Sequence, residues 1–208
     1  MANRDLREAD EIRRFLEPPD VSDFPDPLLM IGMKPALERI CRAIDAHEKV
    51  VVYGDFDADG VTSTALLAIT LGCYGALVEP YVPHRVAEGY GLHLAALRTV
   101  AGRGAKLVIT VDCGISNHEE AREAAALGLD LIVTDHHTLP NELPDVICIN
   151  PKQRVDGCED FECLAGVGVA YQVVRALVKR YGRPPNMRTE EVRQLKDNLL
   201  GLVAVGTV

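Results

Sequence analysis

The stretch Lys49-Val50-Val51-Val52-Tyr53-Gly54-Asp55-Phe56-Asp57-Ala58-Asp59-Gly60 decides the fold. A short β-branched run ends in a glycine-bearing acidic loop. A helical pattern, opened by Thr62-Ser63-Thr64, then runs to about residue 72. The same device recurs twice. Leu107-Val108-Ile109-Thr110-Val111 runs into Asp112-Cys113-Gly114, and Leu129 to Thr134 runs into Asp135-His136-His137. Strand patterns at 76–82 and 145–149 alternate with helical ones at 92–102 and 117–127, the latter with Asn117 as candidate cap. Helices are also expected over 6–17, 35–48, 164–181 and 189–204. Strands alternating with helices of this length predict an α/β fold, a mainly parallel β-sheet flanked by helices. In such sheets ligands bind outside the carboxyl ends of the strands, where all three polar clusters lie. A turn-rich helical segment over 1–34 and a domain over 35–208 is the expected division.

The bulk composition sets limits. The chain has 208 residues, 48% of them hydrophobic, enough for a sizeable core. No apolar run reaches the ~20 residues of a membrane span, and the charged N-terminus has no signal-peptide core. The expectation is a cytoplasmic protein without membrane contact. Six cysteines form no Cys-x-x-Cys pair; free thiols are expected, with Cys158 and Cys163 as the one close pair. A formal net charge of −9 argues against a polyanionic partner taken alone. Divalent ions on the carboxylates would offset that charge locally. The basic run Arg175, Lys179, Arg180, Arg183 and Arg188 reads first as a solvated helix end.

Asp55, Asp57 and Asp59 alternate, and alternate residues of an extended segment share a side. Carboxylates gathered in this way repel unless cations hold them. A calcium EF-hand loop would need Glu at its twelfth position, and that position is Leu66. Helix capping explains one or two of these aspartates but not all three. Asp112 alone would read equally as a turn residue. The His136-His137 doublet after Asp135 has fewer structural explanations, and Asp135 is placed to orient an imidazole. Asp and His ligands without thiolate suit Mn²⁺ or Mg²⁺, and this many carboxylates can hold two ions. The chemistry implied is hydrolysis at phosphorus.

Together these segments resemble the DHH phosphoesterase superfamily, and within it the RecJ-type single-strand-specific exonucleases. The resemblance rests on residues 52–64, on Tyr81-Val82-Pro83-His84-Arg85 with Glu88-Gly89-Tyr90-Gly91-Leu92, and on Val111 to Ile115. Thr134 to His137, Asn150-Pro151-Lys152 and Leu164 to Ala170 extend it over nearly the whole chain. It implies that Asp57 binds one metal, that Asp59 and His136 bind the other, and that Asp112 bridges them. Asp55 would support the site or join it, and His137 would contact the scissile phosphate. Arg85 would be a phosphate contact, Asn150 a substrate-side residue ordering its loop, and Gly114 a point of close backbone approach. The activity implied is 5′→3′ digestion of single-stranded DNA, in DNA repair and recombination, with two Mn²⁺ or Mg²⁺ ions in the complete enzyme. The rivals are a superfamily enzyme acting on short oligonucleotides, cyclic dinucleotides or pyrophosphate, and an inactive scaffold. The superfamily places a further metal-binding Asp just after a Gly-Thr-Val segment, which here is Gly206-Thr207-Val208, the last three residues. The expectation is therefore the N-terminal part of a longer enzyme, lacking its C-terminal domains. Its apolar end, Leu199, Leu200, Leu202, Val203 and Val205, is expected to be uncovered and to drive self-association.

Overall fold

A computed structural model describes residues 8–16, 25–86, 89–153 and 161–208. Five strands form one sheet: β1 (Lys49–Tyr53), β2 (Leu77–Tyr81), β3 (Ala105–Val111), β4 (Asp130–Thr134) and β5 (Ile147–Ile149). All neighbours pair in parallel, in the order β2-β1-β3-β4-β5. The helices are α1 (Ala9–Leu16), α2 (Met33–Asp45), α3 (Ala58–Cys73), α4 (Leu94–Gly102), α5 (His118–Ala126), α6 (Gly166–Tyr181) and α7 (Thr189–Thr207). The parallel α/β architecture read from the sequence is the one observed. The Pro18-Pro19 stop expected after the first helix, Glu88 and Cys158 lie outside the described residues.

The strands are apolar throughout because both sheet faces are covered. Val50 and Val52 face a core built with α2, α3, α6 and α7. Val51 and Tyr53 face a second core built with α4 and α5. β2 is the partly exposed edge, and it is the strand that carries a proline, Pro80, whose missing N–H costs least there. The strand order reverses between β1 and β3, the crevice where open parallel sheets bind ligands.

Two expectations need correction. α3 begins at Ala58, four residues before Thr62, because the Asp57 carboxylate accepts the Gly60 N–H at 2.9 Å and caps the helix. Thr62 is already inside the first turns, its hydroxyl bonded back to the Ala58 carbonyl at 2.7 Å. Asp57 is itself extended but residues 58 and 59 are helical, so the extended alternation does not run on to Asp59. The second correction concerns the apolar C-terminal segment. Leu199 is buried, and Leu195, Leu202 and Val203 pack on the same core. The chain itself covers most of the surface on which self-association was expected to depend, leaving Val205 exposed.

The basic run behaves as a helix end. Lys179 pairs with Asp26, Arg175 donates to the Pro25 carbonyl at 3.0 Å, and Arg188 pairs with Glu191 at 2.8 Å. It lies toward the C-terminal end of α6 and beyond, whereas the acidic cluster meets the N-terminal end of that helix. No helix among the described residues is long and apolar enough to cross a membrane. Cys41, Cys73, Cys113 and Cys148 form no disulfide among the described residues.

Candidate metal centre

The ends of β1, β3, β4 and β5 each deliver one polar cluster to the crevice. Gly54 continues β1 by donating to the Tyr81 carbonyl at 3.0 Å, and Asp55 follows it, buried. Asp112 follows β3, its N–H on the Thr134 carbonyl at 3.0 Å. Its φ of 61° is left-handed, a conformation rare outside glycine and most accessible to Asn and Asp. Asp135 follows β4 with its N–H on the Ile149 carbonyl at 3.0 Å, and Asn150 follows β5.

Carboxylate oxygens of Asp55, Asp57 and Asp112 lie within 4.8 Å of one another. So do ligand atoms of Asp112, His136 and His137. Asp112 belongs to both groups. His136 Nε2 is 3.1 Å from Asp112 Oδ1 and 3.6 Å from Asp59 Oδ2. One oxygen stands out: Asp55 Oδ1 is buried and accepts no hydrogen bond from the described residues, while the buried Asp112 Oδ1 has only the His136 imidazole beside it. Nearly all buried polar atoms are satisfied, and each exception needs a reason. A divalent cation supplies one, and the donors, carboxylate oxygen plus imidazole, fit Mn²⁺ or Mg²⁺.

The titration behaviour agrees. Burial pushes the Asp112 carboxyl up to about 6, offset in part by His136. Burial also raises Asp55, partly countered by the Phe56 N–H. Contact with Asp112 raises His136 against the effect of burial. A site whose charges are costly in the protein alone is one that a cation completes.

Asp59 stands apart from the other two loop aspartates. Its oxygens accept the Gly166 and Val167 N–H groups at 2.7 and 2.6 Å. It therefore sits on the N-terminus of α6, where a carboxylate is favoured by the unpaired N–H groups and the helix dipole. Asp135 is also fully engaged. It accepts from the backbone N–H of His136, His137 and Ile115 at 2.7, 3.0 and 3.0 Å, and its Oδ1 is 2.7 Å from His137 Nδ1. Burial would raise its pKa, but the hydrogen bonds from His137 and Ile115 hold it below the usual carboxylate range. The same contact raises His137.

Arg85 is exposed and lies over the Phe56 ring, 5.1 Å from its centroid, at the mouth of the site. Asn150 is buried, and its amide is spent inside the chain. Nδ2 donates to the His137 carbonyl at 3.0 Å and Oδ1 accepts the Lys152 N–H at 2.9 Å. That is the loop-ordering part of its expected role, with little left for a substrate. Gly114, at φ 109°, faces Thr110 and Val133, so close packing within the sheet already requires a glycine there.

Two neighbours were missed as site residues. The Tyr90 hydroxyl lies 3.3 Å from both ring nitrogens of His137. Gly166 presses on Asp112, so that a Cβ there would stand 2.7 Å from its Oδ1. Both fall inside the motifs Glu88 to Leu92 and Leu164 to Ala170, but nothing in a glycine or an isolated tyrosine marks which atom it will meet.

Residues 49–207 match the model of the DHH family, N-terminal domain. The chain belongs to the DHH family. Over its full length it is 45% identical to the single-stranded-DNA-specific exonuclease RecJ of Bacillus subtilis, spanning 25% of that protein. A crystal structure of exonuclease RecJ bound to manganese superposes with a TM-score of 0.73 at 36% identity, covering 86% of this chain and 43% of that one. RecJ of Thermus thermophilus in complex with Mn²⁺ gives 0.69 at 33% identity, covering 86% of this chain and 24% of that one. The chain thus spans about a quarter of the curated Bacillus relative, and the DHH unit is the part they share.

Proposed function

We propose that this DHH domain is the metal-binding hydrolytic unit of a phosphodiesterase that degrades single-stranded DNA from its 5′ end, in DNA repair and recombination in the cytoplasm. One observation carries the reading. Buried carboxylates from two different strand ends, Asp55 and Asp112, converge in a cluster spaced for cations, and Asp55 Oδ1 accepts no hydrogen bond from the described residues. Asp112, shared by both ligand groups, suits a bridging position, with Asp57 and Asp55 on one side and His136, beside Asp59, on the other. Bound there, Mn²⁺ or Mg²⁺ would acidify a water and neutralise charge developing at phosphorus.

The chain's own residues do the rest. His137 is held at Nδ1 by Asp135 and at its carbonyl by Asn150, so the ring has one defined orientation. Its raised pKa favours the protonated, donating form suited to a phosphate oxygen. Arg85 at the mouth offers a planar cation to the incoming backbone. The similarity to RecJ exonucleases supports single-stranded DNA as the polymer.

The test is hydrolysis of a 5′-phosphorylated single-stranded oligonucleotide, labelled at that phosphate, with Mn²⁺, against Asp112→Ala and a blunt duplex. Labelled mononucleotide released from single strands by the unaltered chain alone is the expected result. Equal cutting of the duplex, or activity surviving Asp112→Ala, overturns the reading.

A further inference from the structure

Asn117 occupies the N-cap position of α5, where its side chain would ordinarily accept a hydrogen bond from the first turn, yet it makes none. Its Nδ2 donates instead to the Leu92 carbonyl, 3.3 Å away and 25 residues back in the chain. Next to that bond the buried Tyr53 hydroxyl donates to the Gly91 carbonyl at 3.0 Å. Leu92 is buried in the second core, and Gly89 and Gly91 have φ of 86° and 90°. The short run 89–92 is thus fastened by its own carbonyls to the end of β1 and the start of α5. Its one outward side chain of any size is Tyr90, 55% exposed, with its ring edge against His137.

His137 does not need this contact for its orientation, since Asp135 and Asn150 already fix it. The exposed tyrosine face beside the phosphate-binding histidine is therefore available to a substrate. Aromatic faces of this kind stack on bases and sugars of single strands. We propose that Asn117 is a positioning residue, which gives up its helix cap to hold the Leu92 carbonyl and thereby sets Tyr90 as the wall against which a single strand packs. This rests on the single-stranded-DNA reading above.

Asn117→Asp separates this role from a structural one. Aspartate caps helices as well as asparagine does and is favoured by the helix dipole, so α5 itself loses nothing. It cannot donate to Leu92, and its charge faces that carbonyl. The full 208-residue chain is compared with the variant in three measurements: thermal unfolding, amide hydrogen exchange across residues 89–94, and steady-state hydrolysis of a single-stranded oligonucleotide with Mn²⁺. Expected are an unchanged or higher Tm, exchange faster by about fivefold or more, and KM raised about five- to tenfold with kcat within about twofold, the scale of one lost hydrogen bond. Unchanged exchange and KM would overturn the proposal and leave Asn117 as a helix residue only. A fall in kcat at constant KM would overturn it too, by showing that the run acts on His137 rather than on the strand. If the unaltered chain neither binds nor cuts single strands while exchange still accelerates in the variant, the anchor exists but the single-strand reading has failed, and the wall with it.

Discussion

Gly166 stands against the side chain of Asp112, so close that a Cβ would lie 2.7 Å from both the Cβ and Oδ1 of the aspartate. The same glycine donates its N–H to Asp59. One residue at the start of α6 thus sets the spacing between a carboxylate that follows β3 and one in the first turn of α3. Gly166→Ala should push α6 away, weaken Mn²⁺ binding at least about tenfold and cost roughly 1–3 kcal/mol of stability. Calorimetric titration and urea unfolding check both, and a variant with normal metal affinity would show that the contact is not tight.

Asp112→Asn should separate stability from function. Asparagine accepts the left-handed backbone at φ 61° and removes a buried charge. With a carboxyl pushed up to about 6 from 3.8, the metal-free protein should gain on the order of 3 kcal/mol at pH 7. Tm should therefore rise while Mn²⁺-dependent hydrolysis is lost. A lower Tm would mean that the Asp112–His136 contact outweighs burial.

The pH dependence of the metal-free chain has a definite sign. Asp112 and Asp55 are raised in the folded state, as are His136 and His137. A raised group contributes stability that is fully present below its unfolded pKa and lost as pH rises through the folded one. Tm without metal should therefore climb as pH falls from about 8 to about 5. Mn²⁺ affinity should fall over the same range as protons compete for the ligands. In Asp112→Asn the climb should flatten. Asp135, held low, acts oppositely, and its contribution disappears only below its unfolded value, near about 4.

Asp135→Asn keeps one accepting oxygen for the backbone but sets an NH2 against a second buried N–H, at a cost of about 1–3 kcal/mol. It withdraws the negative charge that raises His137. The His137 titration, followed by NMR in metal-free protein, should move down toward its ordinary value, and activity should fall roughly 10–100-fold. An unmoved His137 titration would assign that shift to Asp112, the more distant carboxylate.

Leu199→Ala tests the docking of α7. Leu199 is buried against α3 and α6, and its truncation should cost roughly 2–5 kcal/mol in chemical unfolding. A loss below about 0.5 kcal/mol, the range of ordinary surface changes, would show that α7 is not part of the cooperative unit.

The sequence alone determined the parallel α/β fold, because β-branched runs ending in Gly and Asp leave few other architectures. It also determined which residues gather, because a parallel sheet places every strand's carboxyl end on one side. Asp55, Asp112, Asp135 and His136 needed no coordinates to be nominated. Tertiary structure decided what each of them touches. Capping by Asp57 turned an apparent alternation of aspartates into a helix start, and α6 claimed the oxygens of Asp59. The Asp55 Oδ1 oxygen was left buried and unpaired, Asn117 was drawn away from its own helix, and α7 closed over its own core. Apart from the local Asp57 cap, the hydrogen bonds among these outcomes join residues 25 to more than 100 positions apart. Local pattern carries periodicity and turn chemistry, whereas such contacts are set only when the layers pack.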